Sequence, residues 1–144
     1  MRRFYSHLLM IVTLWLLLMF CQSLLPAAVS AIQSGWVLEL FRRFLPLPLT
    51  MHMVRKGAHL LEFFVLGVLT AGICRRNCGQ RLIWFLAAAA AGMAAGLCDE
   101  TLQLFAEGRS GNLADVWLDC LGALCGGGVA CLTAGRSRKK AEQG

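Results

Sequence analysis

Charge is scarce in this chain. Charged residues make up 15% of it, against about a quarter of an ordinary soluble domain. Only 8 of the 144 residues are acidic, 3 are proline and 1 is tyrosine. Too little polar surface exists to coat a water-soluble globule, which excludes most soluble enzymes. A disordered chain is excluded as well, because 58% of the residues are hydrophobic and disorder requires low hydrophobicity. No zinc-ligand spacing, phosphate-cradling glycine loop or nucleophile elbow occurs. The 7 cysteines are odd in number and lack paired spacing, so no disulfide framework is indicated. Cys21, Cys98, Cys120, Cys125 and Cys131 fall in apolar runs, where a free thiol packs as a small hydrophobe.

Long apolar runs are what the sequence has. Crossing the ~30 Å hydrocarbon core takes about 20 mostly apolar residues in a helix. Four runs qualify, at about 5–25, 56–74, 82–105 and 113–134. A helix satisfies its backbone polar groups within one segment, as lipid demands. The expected fold is therefore an all-α integral membrane protein, a four-transmembrane-helix bundle in one domain, 1–134, with a basic tail at 135–144. Arg2, Arg3 and the triplet Val29-Ser30-Ala31 have some look of a signal peptide. An h-region spans about 7–15 residues, and the run at 5–25 is longer, so helix 1 is expected to stay on the chain.

The net charge of +6 is concentrated at one end of such a bundle. Arg2, Arg3, Arg75, Arg76, Arg81, Arg136, Arg138, Lys139 and Lys140 gather there with a single acid, Glu142. All other acids lie at the opposite end. The positive-inside rule then places both termini in the cytoplasm. The basic end faces anionic headgroups, and nucleic acid is not expected as a partner.

Between the first two runs, Trp36, Val37, Leu40, Phe41, Phe44 and Leu45 share one helical arc, opposite Glu39, Arg42 and Arg43. This pattern suits an amphipathic helix lying in the outer interface, stopped by Pro46 and Pro48. Glu39 is spaced to pair with Arg42 or Arg43.

The remaining ionisable residues cluster at the outer ends of three helices. His52, Arg55, Lys56, His59 and Glu62 fall within an arc of about a third of a turn at 100° per residue. Gly92, Gly96, Asp99, Glu100 and Gln103 share a face of the third span, and Asp115, Asp119, Gly122 and Gly126 a face of the fourth. Toward the cytoplasm the polar faces continue as glycine faces. Small residues four apart allow close helix contact, within one chain or in an oligomer equally. A tight bundle below and a polar cup above are expected.

The candidate ligand-binding residues are Lys56, His59, Glu62, Glu100, Gln103, Arg109, Asp115 and Asp119. Arg109 offers a bidentate fork to phosphate or carboxylate. Lys56 supplies a point charge, while Glu100, Gln103 and Asp115 accept hydrogen bonds from sugar, amide or amine groups. Charges at mid-membrane cost about 2.5–3.5 kcal/mol on insertion scales, and less near the interface. Lys56 and Glu62 could therefore simply pair or snorkel, and Asp115 could cap its helix. Asp119 lies one turn deeper, on a face turned to other helices, and is harder to explain that way.

Two functions fit such a cup. One is non-enzymatic binding of a membrane lipid or lipid-linked headgroup. The other is a membrane enzyme with His59 as acid or base. There Asp99, Glu100, Asp115 or Asp119 would orient it or hold Mg²⁺ or Mn²⁺. No cofactor or metal ligand is assigned. A transporter is disfavoured, because the cytoplasmic half shows no polar path.

The stretch Arg55-Lys56-Gly57-Ala58-His59-Leu60-Leu61-Glu62-Phe63-Phe64-Val65-Leu66-Gly67 resembles the opening motif of VanZ-like membrane proteins. Asp99-Glu100-Thr101-Leu102-Gln103-Leu104-Phe105 with Gly108-Arg109-Ser110 resembles their second motif, and Asp115-Val116-Trp117-Leu118-Asp119-Cys120-Leu121-Gly122-Ala123 their third. The three occur in the family's order, on one membrane face. Many members carry Asn where this chain has Asp119, which adds a charge here. The resemblance implies a multi-pass protein of the bacterial plasma membrane and cell envelope. The family is named for low-level resistance to teicoplanin, a lipid-tailed glycopeptide, and a lipid-linked cell-wall component is the partner this suggests.

Overall fold

The computed structural model describes residues 2–44 and 48–141; side chains are described for 6–44, 48–75 and 77–134. Leu45 and Pro46, which the sequence pattern places at the close of the amphipathic segment, lie outside the described residues, as does Glu142 in the tail. Five helices follow one another: α1 (Arg2–Ser23), α2 (Ala27–Phe44), α3 (Met51–Asn77), α4 (Arg81–Gln103) and α5 (Leu113–Ala141). No strand occurs among the described residues. Four of the helices are long and apolar enough to cross a membrane, over Ser6–Ser23, Met51–Arg75, Arg81–Gln103 and Leu113–Ala134.

Local chemistry explains where the helices depart from the hydropathy runs. α3 starts several residues before the expected 56 because Thr50 caps it, its hydroxyl accepting from Met53 N at 3.2 Å. Asn112 opens α5, its side-chain oxygen accepting from Ala114 N at 3.1 Å. α4 ends at Gln103, two residues short of expectation. The next amides, Leu104 to Ala106, bond carbonyls three residues back, and Gly108 (φ 72°) then reverses the chain. α2 begins well before the Trp36 arc. Pro26 sits at its start, where a missing N–H is harmless, and its carbonyl accepts from Ser30 N at 3.1 Å. The basic tail at 135–144 begins as a continuation of α5, helical to Ala141.

α3, α4 and α5 form the mutually packed centre, and α1 docks on α3 and α4. The α3–α5 crossing is backbone against backbone. A Cβ at Gly126 would overlap the Phe64 carbonyl, one at Gly67 the Ala123 carbonyl, and one at Gly122 would come within 2.7 Å of the Leu60 oxygen. Gly92 of α4 takes the Ala123 methyl group, with no room left for a Cβ of its own. The glycine faces thus serve contacts within this chain. Met19, Phe63, Leu66 and Ala95 make one core, and Ala71, Trp84 and Ala134 a second nearer the other end. Outward, the bundle is apolar: Leu61, Leu82 and Leu132 are 63%, 66% and 73% exposed. All seven cysteines are free.

Candidate functional site

Alternating helix directions bring the end of α1, the start of α3, the end of α4 and the start of α5 together. The start of α3, the end of α4, the α4–α5 connection and the start of α5 line a cavity of about 270 Å³. His52, Arg55, Lys56 and His59 of α3 line one wall. Glu100 and Gln103 of α4, Asp115 and Asp119 of α5, and Arg109 from the connection between them line the others. Of the eight candidate residues, Glu62 alone is absent from the wall. It stands behind His59, its Oε2 4.0 Å from His59 Nδ1, and its backbone carbonyl accepts from Trp15 Nε1 of α1 at 3.1 Å.

Some of the charges are already spoken for. Lys56 Nζ donates to Asp115 Oδ1 at 2.7 Å, and each side chain is about a third exposed (39% and 32%). Lys56 is therefore a paired cation at the cavity wall. Arg109 is different. Its Nε is buried without a hydrogen-bond partner. Burial and the nearby Arg55 cation hold the guanidinium below its ordinary range, against the pull of Asp99 and Glu100.

The deeper part of the cup is acidic and ordered. Asp99 is 1% exposed. One of its oxygens accepts from the Ser23 hydroxyl of α1 and the other from Gln103 Nε2 at 2.9 Å. The same Nε2 lies 3.2 Å from Glu100 Oε1, while Glu100 Oε2 accepts the Asn112 amide at 2.6 Å. His59 Nδ1 is 3.9 Å from Asp99 Oδ2. Asp119, also 1% exposed, has no hydrogen-bond partner for either carboxylate oxygen. Gly96 makes room for it, since a Cβ there would lie 3.2 Å from Asp119 Oδ2. Asp99, Glu100 and Asp119 each present one oxygen within 4.8 Å of the others.

The model of the VanZ/LLP1 family matches residues 8–134, a span that holds every helix end just described. The chain belongs to the VanZ/LLP1 family. No curated protein and no solved structure matches it. The three stretches that resemble VanZ-like motifs form three walls of the cup: α3, the end of α4 with the Arg109 turn, and the start of α5. In this VanZ/LLP1 protein Asp99 is the most connected carboxylate of the site, although the sequence pattern left it out of the candidate ligand-binding residues and named it only among the groups that would orient His59 or hold a divalent cation. The signal was present, because Asp99 and Gln103 are four apart on one helix face. Ser23 and Asn112 were not foreseen. A serine closing an apolar run and an asparagine before a helix carry no sign of the acids they serve.

Proposed function

We propose that this VanZ/LLP1 protein binds the headgroup of a lipid or lipid-linked cell-wall component in its cup. The supporting observation is Arg109: a half-buried guanidinium whose Nε is shut off from solvent and lacks a partner, at the wall of a cavity that also exposes Arg55 and His52. A guanidinium fork suits phosphate or carboxylate. Glu100, Gln103 and Asp115 beside it suit hydroxyl, amide or amine groups of the same headgroup.

The protein lies in the bacterial plasma membrane with both termini cytoplasmic, following the positive-inside rule, and the cup opens to the outer leaflet. α2 lies in that outer interface. Its Trp36, Leu40 and Phe44 are exposed. Its contacts fall at the cup end, where Ala27 N bonds Glu107 O (2.9 Å) and Arg42 bonds Leu49 O (3.5 Å). Binding a lipid-linked wall component would connect the cup to susceptibility to lipid-tailed glycopeptides such as teicoplanin.

The test is lipid retention. Protein extracted from membranes containing anionic lipid is analysed by mass spectrometry for bound phospholipid and lipid-linked wall precursors. Wild type is expected to keep an anionic lipid that Arg109→Ala loses; equal retention by the two would end the reading. A susceptibility panel then compares tailed and untailed glycopeptides at matched expression. Protection confined to the tailed drug, and lost in Arg109→Ala, is the expected outcome.

His59 supports a second reading, a membrane enzyme. Its Nδ1 stands 3.9 Å from an Asp99 carboxylate that Ser23 and Gln103 hold in place, and closing that gap to a hydrogen bond would orient the imidazole for proton transfer. Unchanged envelope-lipid profiles between wild type and His59→Ala would remove it.

A further inference from the structure

We infer that Asp99, Glu100 and Asp119 form a binding site for a hard divalent cation of the Mg²⁺, Ca²⁺ or Mn²⁺ class. The first observation is proximity: one oxygen of each lies within 4.8 Å of the other two, a spacing a single ion can bridge. The second is independent of it. Asp119 is 1% exposed and both of its oxygens lack any partner, while the residue lines the floor of the cavity. A buried carboxylate with no donor is a site awaiting a positive group, because removing its hydration without replacement is costly. Among the described residues no side chain hydrogen-bonds to it. Lys56 is engaged by Asp115, and His59 stands beside Asp99 and Glu62.

The other two carboxylates are prepared in the manner of metal ligands. Ser23 and Gln103 orient Asp99, and Gln103 and the Asn112 amide orient Glu100. Outer partners of this kind fix ligand direction in metal sites. Each carboxylate oxygen keeps a further lone pair for an ion. The donor set is all oxygen, which selects hard cations over zinc or copper. The neighbouring Cys120 does not join it, since its Sγ contacts the Ala89 carbonyl at 3.8 Å. Charge balance agrees. Arg55, Lys56 and Arg109 stand among Glu62, Asp99, Glu100, Asp115 and Asp119. With all five carboxylates ionised that group carries an excess of two negative charges, which one divalent ion offsets.

The site rests on these carboxylates alone and does not require the headgroup reading. Its test therefore uses discs of phosphatidylcholine, which contain no anionic lipid. The full-length protein is stripped with EDTA, placed in the discs and titrated with Mn²⁺ by electron paramagnetic resonance. Empty discs serve as background and Mg²⁺ and Ca²⁺ as competitors. Asp119→Asn, which keeps the shape, and Glu100→Gln, which keeps the acceptor for Asn112, are run beside it. Wild type is expected to bind one Mn²⁺ per chain, saturably and displaceably, and to melt at a higher temperature when loaded. Either variant is expected to weaken binding on the order of tenfold or more, as loss of a metal-site contact does, with the thermal shift gone. Stripped Asp119→Asn should melt no lower than stripped wild type. No saturable Mn²⁺ binding by wild type would overturn the inference, as would equal binding by wild type and both variants. If Asp119→Asn fails to fold, Glu100→Gln decides.

Discussion

At the scale of single residues, burial separates the interactions that hold the cup from those that decorate it. The Lys56–Asp115 pair is short but about a third exposed on each side. Such pairs contribute roughly 0–1 kcal/mol, so Lys56→Met should shift unfolding in detergent by less than about 1 kcal/mol. Ser23 is 1% exposed and donates to an equally buried Asp99. Ser23→Ala leaves that carboxylate short of a donor and should cost about 1–3 kcal/mol. Thermal unfolding of the two variants in one detergent gives the comparison; the reverse order would mean that the acidic floor is wetter than its burial indicates. Asp119 follows the same logic from the other side, as the residue whose surroundings supply no donor at all.

At the scale of helices, close approach rather than side-chain interlock joins α3 to α5. Gly126 faces the Phe64 carbonyl and Gly67 the Ala123 carbonyl with no space for a methyl group. Gly126→Ala must push the helices apart, and strain of this kind costs typically 1–3 kcal/mol. At Gly72 and Gly128 no neighbouring atom lies within 4 Å of where a Cβ would sit. Alanine there should be neutral or stabilising by up to about 1 kcal/mol, the helix-propensity gain. Denaturant titrations of Gly126→Ala and Gly72→Ala check the contrast. Equal effects would show that the glycines act through backbone flexibility rather than packing. Gly96 links packing to the site, because the space it leaves is occupied by the Asp119 side chain.

At the scale of the whole molecule, the polar cup and the basic group of Arg75, Arg81 and the end of α5 occupy opposite ends of one bundle. Orientation in the membrane is therefore a single experiment. In a background with the native cysteines replaced, Ser110→Cys at the cup should react with a membrane-impermeant maleimide in intact cells. A cysteine retained at position 78 alone should react only after permeabilisation. The opposite pattern would place the cup in the cytoplasm and remove any role for it at the outer leaflet.

The sequence by itself determined the four spans, the sidedness of charge and the faces on which polar and small residues fall. It also carried the VanZ-like motifs that the family match bears out. These properties are local, since hydropathy and the helical repeat are written within each segment. The tertiary structure alone decided which charges meet. Ser23 reaches Asp99 across 76 residues, Lys56 is spent on Asp115, and Asp119 is left bare beside Asp99 and Glu100. Those outcomes depend on the spacing and register between helices, set where glycines let backbones touch, and no single segment encodes them.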